Sequence, residues 1–193
     1  MLKKKERGEY GYLKYKKTVL TLGFVGVLAA SLGIFFLGLV LNKWETANLF
    51  TIVAILGVLP GAKMLTLLVV VLPHRSMDEK EKVMIDGLLQ KDDAVFYDAV
   101  FTSKERPMHL DAIVVTGHQI IGYTTDKKDK IQKTEEYFKK ECELRKADFV
   151  CFVTDSEKTF VNRFRMRNED ETVSEKQAVQ RDMVLEFIRT AIV

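Results

Sequence analysis

The 193-residue sequence has few of the residues that usually mark a catalytic or metal site. It contains only two cysteines and three prolines, and three histidines that lie far apart. Cys142 and Cys151 lack the CxxC spacing, and His74, His109 and His118 have no metal-ligand spacing to a second histidine or cysteine. A Walker-type loop, a GxGxxG motif and a nucleophile elbow are also missing. The sequence therefore predicts no catalytic residue, no cofactor and no metal.

Charge is almost missing from two long stretches, although charged residues make up 30% of the chain. The apolar runs cover residues 18–41 and 49–72, and Lys63 is the one charged residue within them. A helix of roughly 20 residues crosses a hydrocarbon core about 30 Å thick, so each run is long enough to span a membrane. Only the connector 42–48 separates the runs. We therefore expect a transmembrane helical hairpin whose two ends lie on the same side of the membrane.

The distribution of basic residues predicts which side that is. The tail 1–17 is strongly basic, whereas the connector carries only Lys43 against Glu45. The positive-inside rule therefore places both termini in the cytosol, and we expect the plasma membrane. A cleaved signal peptide is the competing interpretation, but the first apolar run is longer than the usual h-region of about 7–15 residues. The net charge of +3 averages a basic tail and a nearly balanced remainder, so we expect no nucleic-acid partner.

Small residues recur at four-residue spacing in both spans. Such spacing lets helix backbones approach closely where lipid supplies no hydrophobic drive. The spacing predicts packing of the two spans against each other, or of two copies of the chain. The helix-packing residues that we predict are Gly26, Ala30, Gly33, Gly57 and Gly61.

Two residues make the second span more than a plain anchor. Pro60 lacks an N–H group and leaves a helical carbonyl without its usual donor. Lys63 follows at membrane depth, where a lysine costs about 2.5–3.5 kcal/mol on insertion scales. The side chain reaches the headgroups, donates to the carbonyls released at Pro60, or contacts an ion, a lipid or a partner subunit. Pro60 and Lys63 are therefore the intramembrane candidates.

Residues 73–193 predict a cytosolic α/β domain. The patterns indicate the order helix, strand, strand, strand, helix, strand, helix, helix, with a mixed sheet. Ser76 is predicted to cap the first of these helices and Ser156 a later one. The helix predicted over 131–146 has Phe138 and Leu144 among its buried residues. Cys142 and Cys151 are expected to be reduced thiols in the cytosol.

Two resemblances follow from these patterns. The segment from Leu110-Asp111 through Ile120-Ile-Gly-Tyr123 resembles the aspartate strand and hairpin of restriction-endonuclease-like, nuclease-related domains. That family needs two carboxylates and a lysine for a divalent metal. Here Gly122 and Thr124 stand where the family places Glu and Lys, so Asp111 is expected to be a hydrogen-bonding or surface residue. The whole layout resembles small, uncharacterised two-span bacterial membrane proteins, a resemblance that implies no activity.

One further group of residues is a candidate for lipid contact. Arg163, Arg165 and Arg167 form either a solvated helix face or a basic patch on anionic headgroups. The sequence favours a membrane-anchored, non-enzymatic protein whose cytosolic domain binds a partner or the membrane surface. The expected partners are the bilayer and either a second copy or another membrane protein. The alternatives are a small oligomeric transport or channel component that uses Lys63, and an enzyme on a degenerate nuclease-like fold.

Overall fold

The computed structural model describes residues 4–102, 107–125, 128–166 and 175–193, with side chains for all of these except 128–130 and 175–176. The described chain forms two compact units. The hairpin unit comprises residues 14–74, and the sheet unit comprises the described residues of 4–13 and 75–193. The sheet unit is therefore built from two separate parts of the sequence.

The hairpin unit consists mainly of two long helices, α1 (Tyr12–Leu41) and α2 (Leu49–Val71). Asn48 is the N-cap of α2, because its side chain accepts a hydrogen bond of 3.0 Å from the N–H of Thr51. At the other end of α2, Lys17 of α1 donates to the carbonyl oxygen of Leu72 over 2.9 Å. Helix ends leave carbonyls without intrahelical partners, and Lys17 satisfies one of these. By length and composition, both helices could cross a membrane.

The sheet unit has the element order that the sequence predicts. Its elements are α3 (Glu79–Asp86), β1 (Ala94–Thr102), β2 (Pro107–Thr116), β3 (Gln119–Tyr123), α4 (Lys128–Leu144), β4 (Val150–Thr154), α5 (Glu157–Arg165) and α6 (Glu175–Ala191). The strands lie in the order β1-β2-β3-β4. The first three are antiparallel and β4 is parallel to β3, which confirms a mixed sheet. The crossover through α4 makes the parallel pair possible.

Helices cover both faces of this sheet. In β4, the neighbouring side chains of Cys151 and Phe152 point to opposite faces, as they must in a pleated strand. Phe152 packs on a cluster that includes Ile85 of α3 and Phe160 of α5. Cys151 lies against Cys142 of α4. The unit is therefore a three-layer arrangement, with α3 and α5 on one face and α4 on the other.

Strand β1 changes the face on which its side chains pack. Tyr97 belongs to the cluster under α3 and α5, whereas the Phe101 ring lies 5.3 Å from that of Phe138 on α4. Strict alternation would put two residues four apart on the same face. Asp98, which lies between them, has a φ of 51° and so breaks the alternation. This single left-handed residue lets β1 contribute aromatic rings to both cores.

Two details of the sequence-based prediction were wrong. The N-cap of α3 is Asp78 rather than Ser76, and its side chain makes no capping hydrogen bond. Leu144 is 76% exposed, because it lies six residues after Phe138 and therefore on another side of α4. Cys142, four residues after Phe138, takes the buried position instead. The prediction that Ser156 caps α5 is confirmed, since its hydroxyl oxygen accepts from the N–H of Thr159.

Candidate functional site

The predicted intramembrane residues lie on the outer surface of α2. The helix continues through Pro60 without a break from Leu49 to Val71. Pro60 and Lys63 are both exposed, and exposed apolar side chains such as Leu59 and Leu65 lie close to them in sequence. The Lys63 ammonium is thus presented outward from the hairpin rather than toward α1.

The small residues of the two long helices fall into two sets. Gly57 and Gly61 of α2 face α1: a Cβ at Gly57 would lie 2.8 Å from Oγ of Ser31, and one at Gly61 would lie 3.2 Å from Cγ1 of Val27. These glycines allow the close approach of the two helices. A Cβ on either Gly26 or Gly33 would meet nothing within 4 Å. We call Gly26, Ala29, Ala30 and Gly33, all exposed on α1, the outer stripe.

The two described arginines of the predicted basic patch have different surroundings. The Arg163 side chain is half-buried, and its guanidinium carbon lies 5.5 Å from the centre of the Phe152 ring. Arg165 is exposed and lines a cleft of about 400 Å³ between α3 and α5, together with Met84 and Leu88. Arg167 lies outside the described residues. Arg163 therefore packs as a cation over an aromatic ring, while Arg165 remains available to solvent.

Asp111 is buried within β2 and is engaged in hydrogen bonding. Its Oδ2 accepts a 2.6 Å hydrogen bond from the N–H of Thr125, and its Oδ1 lies 3.9 Å from Nε2 of His109. Thr124, at the position where the nuclease-like pattern requires a lysine, donates its hydroxyl to the carbonyl oxygen of His109 over 2.8 Å. Among the described residues, no group of three or more His, Cys, Asp or Glu side chains could hold a metal ion. Asp111 thus orders the end of β3 through Thr125.

The most unusual site of the sheet unit is one that sequence reasoning missed. Asp98 is fully buried. Its Oδ2 accepts a 2.7 Å hydrogen bond from the N–H of Gly11, and its Oδ1 accepts one of 3.1 Å from the N–H of Met77. We call these three residues the Asp98 clamp. A single acidic residue in the otherwise apolar run Ala94–Phe101 was the signal that could have identified it.

The clamp joins the two parts of the sequence that flank the hairpin. Gly11 lies three residues before the hairpin unit begins at Lys14, and Met77 lies three residues after that unit ends at His74. A buried carboxylate is stable only when hydrogen bonds compensate its lost hydration. Both compensating donors come from these flanking segments. The sheet unit therefore requires the segment before the hairpin to complete its own interior.

An aromatic and charged network holds the same N-terminal segment. Tyr10 contacts Tyr97 edge to face at 6.1 Å, and Nζ of Lys82 lies 5.6 Å from the Tyr10 ring. The Tyr97 hydroxyl and the Lys82 ammonium both donate to the carboxylate of Asp86. Burial and the hydrogen bond to Asp86 raise the pKa of Tyr97. Burial acts to raise the pKa of Asp86, but the hydrogen bonds from Lys82 and Tyr97 outweigh it and lower that pKa.

A polar cleft opens between α4 and the end of β4. Its volume is about 460 Å³, and its lining includes Glu135, Lys139, Thr154 and Asp155. Glu135 is already occupied, because it pairs with Lys139 over 2.6 Å and accepts from the N–H of Val153 over 3.4 Å. Carboxylates and one ammonium thus line the cleft, and neither a cysteine nor a histidine is among its lining residues.

Comparisons of the chain with protein-family models, with curated proteins and with solved structures found no match.

Proposed function

We propose that this chain is a two-span protein of the plasma membrane, with both termini in the cytosol, whose α/β domain acts by binding rather than by catalysis. The observation that carries this proposal is the exposure of α1 and α2. In the most apolar 18-residue window of each helix, only 17% and 11% of the residues are buried. Most exposed large hydrophobic side chains of the described residues lie between Val19 and Leu72.

Such a surface has a high free energy in water. The largest apolar patch on a typical soluble monomer covers about 300–600 Å². Exposure of apolar surface costs about 25 cal/mol per Å², so two such predominantly apolar helices need lipid or a large protein partner around them. Trp44 in the connector is 75% exposed, and the membrane–water interface favours the amphipathic ring of tryptophan.

The orientation is testable with single cysteine reporters, because both native cysteines are buried. In cells, Trp44→Cys should react with a membrane-impermeant maleimide before permeabilisation, and Lys4→Cys only afterwards. Both positions are exposed, so access to the reagent depends on the membrane and not on the fold. The reverse pattern would contradict the orientation. Equal labelling of both positions before permeabilisation would contradict the spanning hairpin.

The binding role of the domain requires a partner that is retained in mild detergent. We propose another membrane protein or a second copy of this chain, since a two-helix hairpin offers a long lateral surface. Crosslinking in intact membranes, followed by purification and mass spectrometry, should recover one of these at stoichiometric yield. Recovery of uncrosslinked monomer alone would contradict the role. Salt-sensitive binding to anionic vesicles that Arg165→Gln weakens would instead assign the domain to the lipid surface.

Lys63 supports a second candidate, a small oligomeric transport or channel component. Its exposed ammonium lies within an apolar span, where ionisable side chains typically mark ion or substrate pathways. Two helices cannot enclose a pathway, so this candidate requires several copies. Purified protein in vesicles should then conduct ions, and Lys63→Leu should change the flux or its selectivity. Wild-type flux in the variant would remove the candidate.

An enzyme on a degenerate nuclease-like fold is the remaining alternative. It predicts divalent metal binding that is lost in Asp111→Ala. The hydrogen bond from Thr125 to Asp111 supports a structural role for this carboxylate instead. Calorimetric titration with Mg²⁺ and Mn²⁺ distinguishes the metal-binding role of Asp111 from the structural one. A metal ligand gives binding heat in the unaltered full chain that is lost in Asp111→Ala, whereas a structural carboxylate gives no binding heat in either of these proteins.

A further inference from the structure

The two cysteines of the chain meet in the interior of the sheet unit. The sulfur atoms of Cys142 and Cys151 are 3.9 Å apart, and both side chains are buried. Cys142 lies in the last turn of α4, and Cys151 is the second residue of β4. Nothing in the spacing of nine residues predicts this contact, which arises because α4 packs back on the strand that follows it.

The geometry is close to that of a disulfide. A disulfide has a sulfur–sulfur distance of about 2.05 Å, so the two atoms need to approach by about 1.9 Å. Side-chain rotation and a small shift of the helix end can supply this movement. Cys142 is at such an end, because its carbonyl oxygen accepts from the N–H groups of Arg145 and Ala147 where α4 terminates. Lys146, which follows, has a φ of 55° and ends the helical conformation.

The surroundings make the two sulfur atoms chemically unequal. The hydrogen bond with Cys151 and the nearby Arg145 guanidinium lower the pKa of Cys142, although burial opposes this. The same hydrogen bond and burial raise the pKa of Cys151. Because the thiolate is the reactive form, these directions favour Cys142 as the attacking sulfur and Cys151 as the one that resolves the product.

We propose that Cys142 and Cys151 form a reversible intramolecular disulfide in the folded protein, with a peroxide as the oxidant. The Cys142 thiolate attacks one peroxide oxygen, the O–O bond breaks, and Cys142 becomes a sulfenic acid as hydroxide leaves. The Cys151 sulfur then attacks the Cys142 sulfur, and the hydroxyl departs with the Cys151 proton as water. In sum, two thiols and one hydrogen peroxide give one disulfide and two water molecules.

The bond would fix the end of α4 to the edge strand of the sheet. Strand β4 pairs with β3 on one side and is the last strand in the sheet order. A covalent link there restricts local opening of the edge, which otherwise depends on packing and strand pairing alone. Burial of both thiols limits access, so the reaction proceeds through transient opening of the α4 end and is reversed by a dithiol reductant.

The test uses the full chain in detergent micelles, reduced and then exposed to hydrogen peroxide. After quenching, the protein is unfolded and treated with N-ethylmaleimide, and its mass is measured. We expect a monomer about 2 Da lighter that takes up no maleimide, with a peptide crosslink between Cys142 and Cys151. Dithiothreitol should restore both maleimide adducts. Circular dichroism before quenching should show the signal of the folded protein.

Three results would overturn the proposal. The first is sulfoxide formation at the exposed Met166 while both cysteines still take up maleimide, because the oxidant was then present and the pair did not react. The second is a sulfinic acid or an intermolecular disulfide in place of the internal crosslink. The third is a crosslink that forms only after the folded signal is lost. Cys142→Ser and Cys142→Ala each leave a single cysteine that cannot form the internal crosslink, and either variant that folds serves as the control.

Discussion

The backbone N–H of Gly11 donates to the buried carboxylate of Asp98 over 2.7 Å, across 87 positions of sequence. The same carboxylate accepts from Met77, so residues on both sides of the hairpin depend on it. Buried hydrogen bonds to charged groups are worth about 1.5–3 kcal/mol, more than an ordinary hydrogen bond. The Asp98 clamp is therefore a sensitive point for mutation.

Three substitutions at Asp98 separate its charge from its backbone conformation. Asp98→Asn keeps an oxygen acceptor and tolerates a positive φ, so it should cause the smallest loss of unfolding free energy among the three. Asp98→Gly tolerates the φ of 51° but loses both acceptors, and we expect a loss of about 2–4 kcal/mol in unfolding free energy. Asp98→Ala also adds about 1–2 kcal/mol of left-handed strain. Thermal unfolding in detergent and hydrogen exchange at Gly11 and Met77 measure the order of the three stability losses. Equal losses in Asp98→Gly and Asp98→Ala would contradict a role for the positive φ of Asp98.

Gly8 should be intolerant of any side chain. Its φ is 84°, and a Cβ there would lie 2.6 Å from Cδ1 of Phe96. Its carbonyl oxygen also accepts a 2.7 Å hydrogen bond from the N–H of Tyr97. Gly8→Ala should therefore detach the N-terminal segment from β1, at a cost of about 1–3 kcal/mol. Limited proteolysis at the flanking lysines reports this detachment.

Gly87→Ala is the matched control for Gly8→Ala. Gly87 has a φ of −69°, and its nearest contact to an added Cβ is 3.4 Å. We expect its proteolysis rate to equal that of the unaltered protein. If both variants release the N-terminal segment equally, the packing of Gly8 is not what retains it.

Tyr97→Phe should lower stability in a pH-dependent way. The folded pKa of Asp86 lies below its ordinary value of 3.8, so the stabilisation is present above that pH and is lost as the pH falls through the folded pKa. Removing the Tyr97 hydroxyl should cost about 1 kcal/mol at neutral pH, and the two proteins should converge in acid. Unfolding temperatures from about pH 2 to pH 7 measure this difference and cover the range below the ordinary pKa of Asp86. In an Asp86→Asn background, the pH dependence of the difference should vanish.

Leucine substitutions distinguish the inner glycines of the spans from the outer stripe. Gly57→Leu forces a side chain against Ser31, and overpacking of this kind costs about 1–3 kcal/mol. Gly26→Leu meets open space within the chain and should leave the unfolding temperature of the hairpin unchanged. If two copies pair through the outer stripe, Gly26→Leu should instead shift dimer to monomer in light scattering. Loss of hairpin stability in both Gly57→Leu and Gly26→Leu would contradict the distinction between inner glycines and the outer stripe.

Much of the fold was predictable because its signals are local. The hairpin follows from two long apolar runs that contain a single charged residue, and the order of strands and helices follows from periodicity and turn residues. The contacts that define the sites are not local. The face change of β1 requires a left-handed Asp98, which is stable because Gly11 and Met77 satisfy its carboxylate, and the meeting of Cys142 with Cys151 depends on how α4 returns to the sheet. Periodicity places Phe138 in a core, and the six-residue separation puts Leu144 on another side of α4, a consequence that the prediction overlooked.

The division of the sheet unit into two stretches of sequence has a consequence for biosynthesis. Its first stretch, up to Leu13, leaves the ribosome before either long helix exists. Asp98 is translated only after both helices are complete. If the hairpin inserts into a bilayer, as proposed above, the N-terminal peptide stays without its partner Asp98 until insertion is complete, and its docking then reports that insertion has succeeded. On the same proposal, a chain whose first helix inserted in the opposite orientation would hold the residues up to Leu13 on the far side of the membrane, out of reach of Asp98.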